Sequence, residues 1–234
     1  MNQKIKILNL YAGIGGNRKL WPSDKIDVTA IELNPDIAKI YQDFFPDDKV
    51  IVADAHQYLL EHYKDFDFIW ASPPCQSHSV TYWFLHSQNV IRYPDMSLYQ
   101  EIIFLKNFAK KKPKWVIENV KSYYKPLIYA YVVDRHYVWS NFFVSNKDVS
   151  FHIGRMNGAN QDRIHSKRIC DAPFDLSNYK IKNKEGIVNN CVNPKLGLHI
   201  FNEAFKMKHT TVGDFTPNGV AELPLNPIKT EEFN

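Results

Sequence analysis

Through the first half of the chain, short apolar runs alternate with segments whose apolar residues recur every three or four positions. The first pattern predicts buried strands and the second predicts helices. Ile5 to Leu10 reads as a strand ending at the turn Ala12-Gly13-Ile14-Gly15-Gly16, and Ile26 to Leu33 as a second strand. Asn34 offers an N-cap and Pro35 a first helical residue, ahead of a stripe of Ile37, Ile40, Tyr41 and Phe44. Val50 to Ala53 is a third strand, followed by a short helix around Tyr58 to His62. Phe66 to Ala71 is a fourth, stopped by Pro73-Pro74. Ser77 to Asp95 has weak periodicity and predicts a long loop. Leu98, Ile102, Leu105 and Ala109 then give helical spacing before the strand Trp115 to Ile117. The lysines at 110 to 112 suit a solvated helix end, where the macrodipole favours cations, better than a nucleic-acid patch. His136 to Val144 predicts one more strand.

This alternation predicts an α/β fold, a Rossmann-like doubly wound, mostly parallel sheet with helices on both faces. Ligands of such sheets bind beyond the carboxyl ends of the strands, and unusual polar residues do cluster just after each strand here. Residues 1–144 are assigned to this main domain. From Ser145 to Val188 the sequence is polar and irregular, which predicts a small substrate-facing lobe. Residues 189–234 are expected to return to the main domain, and those after Lys208 to wrap its surface.

A length of 234 residues with 44% hydrophobic and 23% charged residues suits one globular domain with a full core. No run approaches the roughly 20 apolar residues that cross a bilayer, and the polar N-terminus is unlike a signal peptide, so a cytoplasmic protein is expected. A net charge of +4 is compatible with a polyanionic partner without requiring one. Cys75, Cys170 and Cys191 form no CxxC pair, so no metal site or disulfide framework is predicted.

Glycines 13, 15 and 16 let the chain reverse sharply and bring backbone N–H groups against a ligand. The turn lacks the G-x-G-x-x-G spacing of a pyrophosphate site, which argues against NAD. Glu32 ends the next strand, where an acid either accepts hydrogen bonds from ribose hydroxyls or caps the turn before Pro35. Asp54 ends the third strand and either binds an amine such as adenine's or caps the following helix. Acids at two successive strand ends, with no phosphate-binding lysine, suit an adenosine ligand without phosphates, such as S-adenosylmethionine.

Pro73-Pro74 fixes a rigid approach that cannot continue the sheet and holds Cys75 out at its carboxyl edge. A structural cysteine would sit more naturally within the apolar run, so Cys75 is a candidate nucleophile. Glu118 and Asn119 end the next strand, beside it. A thiolate and a carboxyl facing one pocket suit covalent catalysis with acid assistance, although a carboxylate at that place can also satisfy loop amides.

Asn9-Leu10-Tyr11-Ala12-Gly13-Ile14-Gly15-Gly16, Pro73-Pro74-Cys75-Gln76 and Glu118-Asn119-Val120, in that order, resemble the DNA (cytosine-5-)-methyltransferase family in its short phage and bacterial form. Asn190-Cys191-Val192-Asn193-Pro194, with Gly197 and Ile200, resembles the family's last motif. The likeness runs over about residues 5 to 205. It implies a class I S-adenosylmethionine-dependent methyltransferase fold with a small target-recognition lobe, S-adenosyl-L-methionine as cofactor, double-stranded DNA as partner, and no metal. In this likeness Cys75 adds to ring carbon 6 of a flipped cytosine, Glu118 hydrogen-bonds the ring near N3, and Arg135 completes the catalytic set. Cofactor contacts are implied for Tyr11, Ala12, Gly13, Gly15, Gly16, Glu32, Leu33, Asp54, Ala55, Pro73, Asn190 and Val192. Substrate contacts are implied for Pro74, Gln76, Ser77, Ser79, Arg92, Asn119 and Arg163. The Ser77–Asp95 loop, with His78, Tyr82 and Trp83, would fold over DNA.

Three features depart from the family pattern. Asn9 stands where Asp is usual and Tyr11 where Phe is usual. The family's QxRxR motif is not clean: Arg135 is preferred for its arginine, with Gln161-Asp162-Arg163 second. Only about Ser145 to Asn189 is available for target recognition, which predicts a short or relaxed target or a helper subunit. A transfer-RNA cytosine methyltransferase and a catalytically idle cofactor- or DNA-binding subunit are the competing readings. The biological setting, whether restriction–modification, phage or solitary, stays open.

Overall fold

The computed structural model describes residues 3–146 and 174–205. Seven strands form one sheet: β1 (Ile5–Leu10), β2 (Ile26–Glu32), β3 (Lys49–Val52), β4 (Phe68–Ala71), β5 (Lys114–Val120), β6 (Tyr131–Val133) and β7 (His136–Ser140). Their order is β3-β2-β1-β4-β5-β7-β6. The first five pair in parallel; β7 runs antiparallel to both β5 and β6. The fold is thus the expected α/β type with a mostly parallel sheet.

Both faces of the sheet are covered, which is why its central strands read as unbroken apolar runs. In β4 the alternation is of destination and not of polarity. Phe68 and Trp70 join one core with Ile7, Val28, Val116 and Trp21. Ile69 and Ala71 join the other with Leu8, Leu10, Ile31 and Ile117. Helix α2 (Ala55–His62) and helix α4 (Ser97–Phe108) close the second core through Leu59, Leu98, Ile102 and Leu105. Helix α6 (Pro194–Phe205) closes the first, burying Leu196, Ile200, Phe201 and Ala204.

Parallel pairing aligns the strand ends. Ile51, Ile31, Leu10, Ala71 and Ile117 stand in one row across β3, β2, β1, β4 and β5. The next residues along each strand are therefore neighbours at a single carboxyl edge.

Helix α1 (Pro35–Phe44) starts as expected: Asn34 Oδ1 accepts from the N–H groups of Asp36 and Ile37 at 2.9 and 3.3 Å, ahead of Pro35. Helix α2 begins at Ala55, three residues before Tyr58, because Asp54 Oδ1 caps it by accepting from Gln57 N at 2.8 Å. The expected Ser77–Asp95 loop contains α3 (Tyr82–Ser87), a helix with no buried residue and so no apolar stripe to read. Strand β7 stops at Ser140, short of Val144. The Asn141 side chain takes over from the backbone there, its Oδ1 accepting from Trp115 N and its Nδ2 donating to the carbonyls of Ala109 and Pro113. Helix α5 (Lys184–Asn189) and α6 were not predicted, although the 196, 200, 201, 204 spacing in α6 is helical. Most of the expected polar lobe, with Arg163 and Cys170, lies outside the described residues, as does the segment after Lys208. Lys110, Lys111 and Lys112 are exposed after α4. Among the described residues no helix is long and apolar enough to cross a membrane.

A buried ion pair locks the glycine turn to the α1–β3 connection. Arg18 Nε and Nη2 donate to the two oxygens of Asp48 at 2.9 and 3.0 Å, and the buried Tyr41 hydroxyl donates to the same carboxylate at 2.9 Å. Arg18 and Asp48 side chains are each only 4% exposed, so removing one leaves an uncompensated buried charge. Asp48→Ala is expected to lower unfolding stability by about 3–5 kcal/mol, read as a fall in the urea midpoint. The exposed neighbour Asp47→Ala serves as control and should stay within about 0.5 kcal/mol of the parent.

Candidate active site

Five strand ends deliver chemistry to the carboxyl edge. At the end of β1, Tyr11 takes a left-handed backbone conformation (φ 55°), and Gly13 (φ 54°) and Gly15 (φ 85°) follow it through the turn. At the end of β2, Glu32 joins two turns: one oxygen accepts from Gly13 N at 3.0 Å and the other from Asn34 N at 2.9 Å. Both expected roles can coexist here, because a carboxylate has lone pairs to spare for hydroxyl donors after two N–H bonds. Asp54, after β3, caps α2 through one oxygen and is exposed.

The turn fits an adenosyl ligand. A Cβ on Gly13 would meet nothing within 4 Å, so open space lies over the backbone at the carboxyl edge. Leu33, beside Glu32, is 67% exposed and presents an apolar side chain to that edge. The far wall comes from the C-terminal segment. A Cβ on Gly16 would stand 2.4 Å from the Val192 carbonyl oxygen, so only glycine admits this approach. Ala12, Gly15 and Gly16 are buried beneath the turn, Ala55 is buried at the start of α2, and Asn190 is exposed as the C-cap of α5. Asn9 and Asn17 explain the amide in place of the usual acid. Asn17 Nδ2 donates to Asn9 Oδ1 at 2.8 Å, a buried neutral pair that needs no counter-charge.

The second half of the site is built after β4 and β5. Asn119, buried, donates from Nδ2 to the Pro73 carbonyl at 2.9 Å and so ties the Glu118-Asn119 strand end to the proline turn that carries Cys75. The substrate contact expected of Asn119 is thus joined by a structural bond. Cys75 is half-buried. Burial first, and then the Glu118 carboxylate, push its thiol above the ordinary range, so it is protonated at neutral pH. Both His78 N and Ser79 N donate to the Cys75 carbonyl, closing the turn.

That turn is stitched to the chain beyond β5. His78 is buried, its ring hydrogen-bonds the Tyr124 hydroxyl, and its carbonyl accepts from Tyr123 N. Burial holds the His78 pKa down. Ser79 bridges to Ser122, and the Tyr82 ring stacks on Tyr123 at 4.2 Å. Ser77 Oγ accepts from Asp95 N, joining the two ends of the loop. Pro74, Gln76 and Arg92 are exposed, whereas Pro73 is buried. Arg163 lies outside the described residues.

Of the two neighbours at the start of β7, Arg135 is exposed at the hairpin turn, and its carbonyl accepts from Lys121 N. His136 faces Glu118 instead: Nε2 stands 3.9 Å from Oε2, with both side chains largely buried. His136 Nδ1 is buried without a hydrogen-bond partner among the described residues. The register makes the reason plain. His136 pairs with Val120 and Val138 with Glu118, so these four side chains share one face of the sheet. Sequence reasoning missed His136, and it missed Glu101, a buried acid inside the apolar stripe of α4. An acid three residues after Leu98 and four before Leu105 was the available signal for the latter.

The chain is similar to known proteins. The profile of the C-5 cytosine-specific DNA methylase family matches residues 5–127, just over half of the chain. A tRNA (cytosine(38)-C(5))-methyltransferase from Spodoptera frugiperda is 24% identical over 160 residues, covering 64% of this chain and 47% of that protein. The chain thus spans about half the length of the curated relative it matches. Among solved structures, a Spodoptera frugiperda DNMT2 variant is 25% identical over 50% of this chain and 36% of its own, at a TM-score of 0.34. A putative DNA modification methyltransferase from an Escherichia coli prophage is 20% identical over 52% of this chain and 34% of its own, at a TM-score of 0.35. S-adenosylmethionine is the methyl donor of this fold and family. With the glycine turn, the proline-held cysteine and the Glu118-Asn119 strand end at one sheet edge, the chain belongs to the C-5 cytosine-specific DNA methylase family.

Proposed function

We propose that this protein methylates carbon 5 of cytosine in double-stranded DNA through a covalent adduct between Cys75 and a base flipped out of the helix. The observation that carries this reading is the Asn119–Pro73 hydrogen bond, which holds Cys75 and Glu118 at adjacent strand ends beside the glycine turn. The family match and the net charge of +4 support a DNA substrate.

S-adenosylmethionine, when bound, supplies an electrophilic methyl group; Glu32, Leu33, Asp54 and the Gly13 turn are the residues that would hold it. Cys75 gives up its proton, which the Glu118 carboxylate takes up, and the thiolate adds to carbon 6 of the cytosine ring. Glu118 gives a proton to N3, so the electron pair released by addition is available at carbon 5. After carbon 5 is methylated, loss of its remaining proton re-forms the ring double bond and expels Cys75, and N3 returns its proton to Glu118. His136, against Glu118, keeps a polar partner at the carboxyl in a pocket that would otherwise desolvate it. The cytosine must leave the stack to reach these groups. Residues 145–188 are proposed as a small recognition lobe for a short or relaxed target, alone or with a helper subunit.

A second reading has one observation in its favour: the Spodoptera frugiperda relative is named for a transfer-RNA cytosine. Duplex DNA and transfer RNA, each incubated with the protein and methyl-labelled S-adenosylmethionine and then digested to nucleosides, discriminate the two. Label in 5-methyldeoxycytidine is expected. Label confined to transfer RNA would replace the DNA reading with the RNA one. Cys75→Ala should abolish transfer, and Glu118→Gln should slow it roughly a hundred- to ten-thousandfold; undiminished transfer by the cysteine variant would overturn the covalent route.

The raised thiol pKa gives a separate expectation. Alkylation of Cys75 by iodoacetamide, followed by mass spectrometry, should climb with pH to a midpoint above that of an ordinary thiol, because only the thiolate reacts. Removing the Glu118 charge stabilises the thiolate, so Glu118→Gln should move that midpoint down.

A further inference from the structure

Glu101 is an acid with no exposed surface, set on α4 behind the sheet edge. One of its oxygens accepts from the Tyr11 hydroxyl and lies 3.0 Å from His56 Nδ1. Its other oxygen is buried without a hydrogen-bond partner among the described residues. Among the described residues no arginine or lysine pairs with this carboxyl; burial raises its pKa, while Tyr11 and His56 oppose that rise and Asp54 adds to it. A buried acid so poorly compensated is a costly way to fill a core, and an apolar residue would stabilise the fold better. The unusual choice therefore calls for a role in the site.

The partners indicate that role. Tyr11 is the residue from which the glycine turn departs, and its left-handed backbone needs an anchor. His56 is the second residue of α2, whose N-cap is Asp54. One carboxyl on α4 thus grips both sides of the cofactor edge, residues 11–13 and residues 54–56, without itself reaching the surface. Asp95, at the end of the Ser77–Asp95 loop, also acts electrostatically on Tyr11 and lies near the same cluster. We propose that Glu101 is a positioning residue for S-adenosylmethionine, acting through the Tyr11 hydroxyl and His56 to set the turn and the α2 start at the spacing the cofactor requires. The hydroxyl that Tyr11 carries then has a purpose in this chain: it is the donor that the buried carboxyl holds.

The test is calorimetric titration of the protein with S-adenosylhomocysteine, which reads cofactor-site affinity whatever the methyl acceptor is. Tyr11→Phe should weaken binding about tenfold, the loss of one hydrogen bond to a charged group, and Glu101→Leu, which releases His56 as well, at least as much. The double variant should be no weaker than the worse single variant, because both remove the same bond. Glu101→Gln keeps an acceptor for Tyr11 and should restore binding to within about threefold of the parent. A merely structural carboxyl would lower the thermal midpoint and leave the affinity of the folded protein unchanged. Binding by Tyr11→Phe within twofold of the parent, or losses that multiply in the double variant, would overturn the proposal; Tyr11→Phe removes a single hydroxyl, so it serves even if Glu101→Leu fails to fold.

Discussion

In-register parallel pairing is the constraint on which the rest of this molecule depends. Ile51, Ile31, Leu10, Ala71 and Ile117 form one row, and every group assigned to chemistry lies at or just past that row. A slip of one residue in any ladder would exchange the two cores, sending Ile69 and Ala71 to the face now filled by Phe68 and Trp70. The two faces differ too much in volume for that exchange. Packing of the cores therefore fixes register, and register fixes which residues meet at the edge.

Within that frame a small number of buried polar bonds sets the finer geometry. The Arg18–Asp48 pair anchors the far end of the glycine turn, Asn9–Asn17 its underside, and Glu32 its outer amide. Asn119 does the same for the proline turn. All but the local Asn9–Asn17 bond join segments distant in sequence where a loop would otherwise float. Each is also a polar group that the surrounding apolar core makes expensive to leave unpaired, which gives these short contacts their directing power. Glu101 and Asn119 each keep one buried oxygen with no hydrogen-bond partner among the described residues.

The sheet was largely legible from the sequence, since strands buried on both faces announce themselves as apolar runs ended by Gly or Pro. The first five came within a few residues of their observed limits. What escaped were short elements without periodicity of their own, β6 of three residues, α3 of six that bury nothing and α5 of six, together with α6, whose helical spacing went unread. The motif residues were legible too, but not how they are held. Nothing in the string Glu118-Asn119 says that the amide turns back to Pro73, and nothing in Arg135-His136 says which of the two faces inward. That is decided by pairing parity with β5, a relation between strands that a single strand's composition cannot carry. Glu101 was hidden for the opposite reason: it sits in a stripe whose helical spacing was read for its apolar members alone.

The close approach of Val192 to Gly16, and of α6 at Gly197 to Asn17, carries a consequence for how the protein comes into being. The turn made from residues 11–16 leaves the ribosome early, yet its wall is supplied by residues around 192–197, among the last of the described chain to be synthesised. Trp21, whose indole N–H donates to the Gly197 carbonyl, waits on the same late arrival. A nascent chain can therefore lay down the whole parallel sheet and still lack a closed cofactor site. The turn acquires its wall only once α6 has docked, so its closure waits on the last of the described helices.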